Sequence, residues 1–440
     1  GQVVRVYDAQ DGQLVDALFQ GSGPRGFVRR DADGGATYES FLPGGQLAER
    51  IDPLGHTHQY EYDAGGRGYR TAQTDPLGQV FVYERDVHGN VVREIYVDGS
   101  SRSWTHDERG RVLSETDELG HTTTFERDAN GRLLATVFAD GARDWTRYNR
   151  FGQPVELERA GVRTQLLYDE SARLIQVVDA LGNRTDYEYD RRGNLARMVD
   201  PLGQATEFQT DEAGNRIAVI HADATKERFA YDEWGQVIKH IDALGHATHY
   251  EYDRFGRRTA IVDPTGARTE IDYGEIGSVT ANLPVEQRLP DGEITVWIYD
   301  ERGQLIEQTT APGTPYAATI RHAYDPVGRR IATTDARESL SLSAYDARGR
   351  RIKSVSALGY ETHYRYDAAG RKISKTDANG NTSRYTYDSR DRMIAETDAL
   401  GFVTRYLYDR NGRRTAIIDE RGSHYRFKYD ALGRQTAKQY

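Results

Sequence analysis

Cysteine is absent from this chain of 440 residues. No disulfide framework and no thiolate chemistry is available to it. Long apolar runs are missing too. No stretch of about 18 apolar residues exists, so no helix is expected to span a membrane. Apolar residues make up 37% and mean hydropathy is -0.75, less than a compact globule of this length ordinarily needs. Lysine is scarce: seven of the 58 basic residues, the other 51 being arginine. Net charge is -10 with acid and base interspersed and no basic block, which argues against nucleic acid as a partner. Helical periodicity is not found over any useful length. The chain opens Gly1-Gln2-Val3-Val4 without an initiator Met, a basic n-region or an apolar h-region; it reads as a fragment or a processed piece, with no signal peptide of its own.

Glycine (44) and tyrosine (29) are plentiful, and both keep a period. An Asp column can be followed from position 42 to position 430, and 14 of its 18 intervals are 21 residues long. A fixed period of this size marks a repeat architecture. Three residues after the marker stands Gly in 17 of 19 copies, Ala172 and Asp391 being the exceptions. Eight residues before it stands Gly in 16 of 19, with Ala224, Ala317 and Glu338 as exceptions. Each unit therefore holds two tight turns, where glycine supplies positive φ. Asp-Pro-Leu-Gly at Asp52, Asp75 and Asp200 and Asp-Ala-Leu-Gly at Asp179, Asp242 and Asp398 fit turns opened by an aspartate side chain.

Between turns the pattern has period two. Tyr250 and Tyr252 fall on one face of a strand, His249 and Glu251 on the other. One β-hairpin per unit follows. The fold expected is all-β: tandem hairpin repeats of about 21 residues in a curved, spiralling antiparallel sheet. Strands of about seven residues give a ribbon about 24 Å tall, and about 40 of them a sheet of roughly 190 Å. Closed as one ring, that length would enclose a hollow on the order of 60 Å across. Open sheets so long curl, and neighbours in sequence or assembly are expected at the exposed edges and ends. Residues 1–50 read as irregular leading repeats, with Tyr7-Asp8 as a good marker pair, Phe41-Leu42 as a degenerate one and Gly21-Ser22-Gly23-Pro24 as a loop. Residues 51–267 form a regular array, 268–325 carry enlarged turns, and 326–440 are regular again, within one continuous repeat domain.

Chemical constellations are weak. Carboxylate pairs such as Glu251/Asp253 recur along the array, unlike a single acid–base site. His56-x-His58 and His246-x-x-His249 have ligand-like spacing but no third ligand nearby in sequence, and paired or solvated histidine is the default. No cofactor is expected. The tyrosines are read first as cross-strand packing, with Tyr250 and Tyr364 as candidate glycan-stacking residues. The arginine column is read as pairing with neighbouring acids.

Tyr-Asp-x-x-Gly-Arg at this spacing, with 13 intact Tyr-Asp pairs, resembles the YD repeats of the Rhs family, related to the C-component of insecticidal toxin complexes and to teneurins. The resemblance covers nearly the whole chain. It implies a hollow cocoon-like shell around a C-terminal toxin domain of the same polypeptide, with secretion-spike or chaperone proteins as further partners and export from a bacterium through a type VI-like route. Its structural markers here are Tyr62, Asp63 and Gly66; Tyr189, Asp190 and Gly193; Tyr252, Asp253 and Gly256; Tyr366, Asp367 and Gly370; and Tyr408, Asp409 and Gly412. The family's self-cleaving Asp-Pro-x-Gly-Leu ending has no counterpart: Asp52, Asp75, Asp200, Asp263 and Asp325 begin Asp-Pro-x-Gly, but Leu never follows. No catalytic residue is carried over, and the function expected is a non-enzymatic shell segment. The alternative is a cell-surface adhesin or glycan-binding ribbon.

Overall fold

The structure is a computed structural model. It describes the backbone of residues 2–7, 14–19, 25–30 and 35–440, with side chains throughout 35–440. Asp8 of the first marker pair and the Gly21–Pro24 loop lie outside the described residues. The described chain is built of strands joined by turns, with no helix among them. Numbered in chain order, the 41 strands run from β1 (Gln2–Tyr7) to β41 (Gln435–Gln439). Each is five to seven residues long. They fall into two compact units. The first takes the described residues up to 110 together with 115–120 and 269–382; the second takes 111–114, 121–268 and 383–440.

In each unit, chain neighbours pair antiparallel. β23 (Val237–Ile241), β24 (Ala247–Tyr252) and β25 (Arg258–Val262) are typical. His249 faces Val262, Tyr250 faces Ile261 and Glu251 faces Ala260. The register then slips by one residue between Glu251 and Tyr252, so that Tyr252 faces Arg258. This is the bulge that accompanies a turn whose glycine is left-handed. Asp253 N–H donates to the Arg257 carbonyl at 2.9 Å, and Gly256 N–H donates to the Asp253 carbonyl at 3.0 Å. Gly256 has φ +82°. The turn at the other end of the unit has the same plan: Asp242 N–H donates to His246 O at 2.9 Å and Gly245 N–H to Asp242 O at 3.0 Å. The bulge takes a residue from the ladder, and most strands fall short of the expected seven.

Alternation along the strands keeps Tyr250 and Tyr252 half-buried and leaves His249 and Glu251 exposed. Among the described residues the buried apolar positions are alanines, including Ala135, Ala218, Ala260 and Ala416, and no large side chain is fully buried. Ala260 lies opposite Glu251, on the long, polar face. An alanine there lets neighbouring stems close over it. The array therefore has no thick core, and each hairpin depends on the next for burial.

The long intervals are absorbed between strands. Residues 274–283 form one enlarged turn, closed by Gly274 N–H on Leu283 O at 3.2 Å, and residues 311–317 form another. The strands on either side keep pairing.

Four of the five positions where the glycine columns fail still adopt the left-handed conformation: Ala172 at φ +65°, Ala224 at +66°, Glu338 at +58° and Asp391 at +60°. Ala317 does not; its turn is rebuilt with Gly313 at +76°. An L-residue in this region costs about 1–2 kcal/mol. Ala172→Gly with Ala224→Gly should therefore raise the urea midpoint, by roughly 1 kcal/mol per site after glycine's own entropy cost. Equilibrium denaturation of single and double variants checks this; an unchanged or lower midpoint means the strain is relieved some other way.

Candidate functional site

The site-like feature of this chain is a seam repeated at most marker turns of the described residues. The aspartate builds the turn. Asp253 Oδ1 accepts the amides of Phe255 and Arg257 at 2.9 and 3.0 Å. Asp190 accepts from Arg192 and Asn194 at 2.8 and 2.9 Å, and Asp409 from Asn411 and Arg413, both at 2.9 Å. Asp63 takes Arg67 and Tyr69 at 3.3 and 2.8 Å, and Asp367 takes Arg371 at 2.9 Å. The paired glycines have φ of +70° (Gly66), +92° (Gly193), +83° (Gly370) and +85° (Gly412). Each Tyr-Asp-Gly trio thus shares one turn.

The tyrosine reaches backwards. Tyr252 Oη donates to the Val237 carbonyl at 2.9 Å, 15 residues upstream on the previous hairpin. Tyr62 does the same to Leu47 at 2.8 Å, Tyr189 to Leu174 at 2.8 Å, Tyr366 to Arg351 at 2.8 Å and Tyr408 to Met393 at 2.9 Å. Five copies from position 42 onward lack the tyrosine, carrying Phe41, Arg85, His106, Arg127 and Thr210 instead. At two of them Arg85 Nε donates to Arg70 O at 3.0 Å and Arg127 Nε to Val112 O at 3.3 Å, also 15 residues back. At these two copies arginine supplies the long side chain and terminal donor that tyrosine supplies elsewhere. These two copies fall outside the 13 intact Tyr-Asp pairs; the arginine in the tyrosine column was the available signal.

The arginine that follows the glycine reaches forwards. Arg392 Nε donates to its own turn's Asp388 at 2.7 Å, its Nη1 to the next marker's carbonyl at Asp409 (3.3 Å), and its guanidinium lies 5.1 Å from the Tyr408 ring centre. Arg350 repeats this with Asp346, Asp367 and Tyr366. The expected pairing with neighbouring acids is thus mostly pairing within the turn.

Tyr250 and Tyr364 each have a ring under a guanidinium, Arg258 at 5.6 Å and Arg351 at 5.2 Å. His56 and His246 turn their Nδ1 to the turn aspartates Asp52 and Asp242 at 3.0 and 3.2 Å. His58 Nδ1 is buried without a hydrogen bond, and burial, reinforced by Arg50, pushes its pKa down. Glu251 pairs with Arg268 rather than with Asp253. Among the described residues no group of three His, Cys, Asp or Glu is placed to hold a metal.

The repeated hairpins and their two-way seam define a shell-type repeat. The teneurin YD-shell family matches residues 100–320, half of the chain, and the RHS repeat matches residues 345–382, 372–404 and 408–440. The chain belongs to the teneurin YD-shell family. In fold it is similar to a crystal structure of TcdB2-TccC3 (TM-score 0.70, 15% identity, 99% of this chain and 30% of that one). It is also similar to a Tc holotoxin pore of Photorhabdus luminescens (0.66, 14%, 95% and 30%) and to TcdB2-TccC3-Cdc42 (0.63, 15%, 94% and 24%). The chain spans about 30% of the first of these. Among curated proteins, none matches in sequence.

Loss of the Tyr252 hydroxyl leaves a carbonyl without its donor. Tyr252→Phe and Tyr408→Phe should each lower stability by about 0.5–1.5 kcal/mol, read as a fall in urea midpoint. Tyr250→Phe should stay within about 0.5 kcal/mol. Equal effects at all three would remove the hydroxyl from the account.

Acid should loosen the turns. For Asp253 burial raises the pKa, but the Arg257 amide and guanidinium outweigh it, and the net direction is down. Side-chain donation from Asn194 holds Asp190 low, and the Tyr69 amide does so for Asp63. A carboxylate whose folded pKa is depressed adds stability that is present above its unfolded value and is lost as pH falls through the folded one. The urea midpoint should be flat above about pH 5 and decline below about pH 4. Asn149 already builds a turn as a neutral cap, accepting from Phe151 and Gln153 at 2.9 and 3.1 Å. Replacing Asp63, Asp190 and Asp253 by Asn should therefore flatten the decline; a profile that keeps its slope contradicts the assignment.

Proposed function

We propose that this chain is a non-enzymatic wall segment of an Rhs-type polymorphic toxin. The wall encloses a toxin domain of the same polypeptide until it is delivered to a competing cell. Membership of the YD-shell family and the likeness in fold to TcdB2-TccC3 support the reading. The observation that carries it is the sheet's lack of a thick core: among the described residues the buried apolar side chains are alanines. A wall without a thick apolar core offers an unfolded guest fewer competing apolar contacts than a packed one, while its hydrogen-bonded ladder blocks the guest from its targets.

On this reading the marker residues are structural, the chain catalyses nothing, and spike or chaperone proteins of a type VI-like route are its partners in export. Among the described residues no helix is long and apolar enough to cross a membrane.

The test uses the complete natural polypeptide that carries this array. Limited trypsin treatment should leave the segment following the array intact roughly tenfold longer than in a variant whose wall is opened by Gly193→Val, Gly256→Val and Gly412→Val, the scale expected when cleavage follows opening. Equal cleavage rates with the array folded would end the proposal. Saturable glycan binding lost in Tyr250→Ala and Tyr364→Ala would turn the reading toward an adhesin.

A further inference from the structure

In each unit, turns far apart in sequence meet along the hairpin ends, at a constant spacing. The turn between β9 (Val91–Ile95) and β10 (Ser101–His106) meets the one between β32 (Leu340–Tyr345) and β33 (Arg351–Val355), 23 strands later. Arg348 lies 4.1 Å over the Tyr96 ring and its Nη1 is 3.7 Å from Asp98; Arg350 Nη2 is 3.5 Å from Asp98. In the other unit, the turn between β13 (Leu133–Val137) and β14 (Arg143–Tyr148) meets the one between β36 (Thr382–Tyr387) and β37 (Met393–Thr397), again 23 strands later. Arg390 lies 4.4 Å over the Phe138 ring and 3.5 Å from Asp140, and Arg392 Nη2 is 3.2 Å from Asp140. The two clamps have the same parts. A ring opens the turn, an aspartate stands two places later, and arginines two and four places after a marker aspartate close on both.

A third turn has those parts without the arginines. His221-Ala222-Asp223 joins β21 (Arg216–Ile220) to β22 (Lys226–Tyr231). Asp223 Oδ1 takes the Thr225 amide at 3.0 Å and hydroxyl at 2.6 Å. Asp98 binds Ser100 in the same way, at 3.1 and 2.5 Å. Counting on 23 strands from this turn passes β41. The leucines of the same row mark where cover stops. Leu54, Leu77, Leu119 and Leu181, in turns whose counterparts exist, are 38–47% exposed; Leu202 and Leu244, on either side of His221, are 80–81% exposed.

We propose that the turns at residues 200–203, 221–224 and 242–245 are a docking edge for further repeats of this kind, continuing in line from the last one. The marker turn that reaches His221 would carry the arginine pair. One guanidinium stacks on the imidazole and both face Asp223, flanked by leucine contacts. Continuity with the clamps already closed in the same unit, and the match of aspartate to arginine, select this occupant. The proposal requires no cargo and stands or falls apart from the enclosing role.

To test it, a second copy of residues 357–440 is appended after Tyr440. This brings the copies of Arg390 and Arg392 into register with His221. Amide exchange at residues 222–225 should slow roughly tenfold against the unextended chain, the scale of a local opening made harder by about 1.4 kcal/mol. Changing both appended arginines to alanine, or Asp223→Ala, should abolish the slowing. Within the unextended chain, Arg390→Ala with Arg392→Ala should speed exchange at residues 138–142 similarly. Unchanged exchange at 222–225, an appended segment that stays unfolded, or a 138–142 turn indifferent to its arginines each overturns the proposal. So does concentration-dependent self-association that protects the same turns without any extension, which would give the edge to a second copy.

Discussion

A phenol hydroxyl resting on a backbone carbonyl 15 residues upstream is the contact this array depends on. A hairpin alone is marginal in water, and here the side chains that could pack it are thin. The hydroxyl joins each hairpin to the one before it, and its acceptor sits at the first residue of a strand, where the ladder has just begun. The arginine at the far end of each turn makes the complementary link to the next repeat. Each seam is thus held from both sides by polar groups, and the bonds act at the hairpin ends, where the ladder would otherwise fray.

Why polar links suffice follows from the turn. The slip between Glu251 and Tyr252 sets Tyr252 opposite Arg258 and leaves Thr259 out of the ladder, so the tyrosine keeps its alternation with Tyr250 while its hydroxyl reaches the Val237 carbonyl. The left-handed glycine creates that slip, and the aspartate carboxylate fixes the amides around it. Where the sequence replaces the glycine, as at Ala172 and Asp391, the backbone keeps the left-handed conformation despite the strain. The array imposes the turn geometry on the residue, as expected where surrounding pairing over-determines the chain.

Much of this was legible beforehand because local chemistry repeats. The period set the turns, the turns set the strands, and Tyr250 with Tyr252 on one face followed from period two. The arginine column was harder. Its pairing with acids was foreseeable, but the reach of Arg392 to the next marker's carbonyl and ring requires the bulged geometry. Arg85 and Arg127 fell outside the 13 intact pairs because the motif was read by residue name rather than by where its donor lands. Least legible were the contacts at 23 strands' distance. Nothing in Asp98 or Arg350 records how quickly successive strands twist, and that accumulated angle decides which turns meet.

The clamps show how such a fold can set its own spacing. Exposed ion pairs contribute little singly, and Arg350 with Asp98 at 3.5 Å is no exception. Ring and carboxylate together ask for more: a guanidinium must lie flat over Tyr96 while still reaching Asp98. A shift of one repeat would carry Arg348 to a turn opened by an aspartate instead of a ring, since Asp75 and Asp117 begin the neighbouring turns. Arg348 does bind Glu118 in one of those turns at 2.8 Å, from its second nitrogen, so it reads two adjacent turns at once. Aromatic-opened turns scattered among aspartate-opened ones therefore act as index marks. They discriminate between registers that the 21-residue period alone would leave nearly equal in energy.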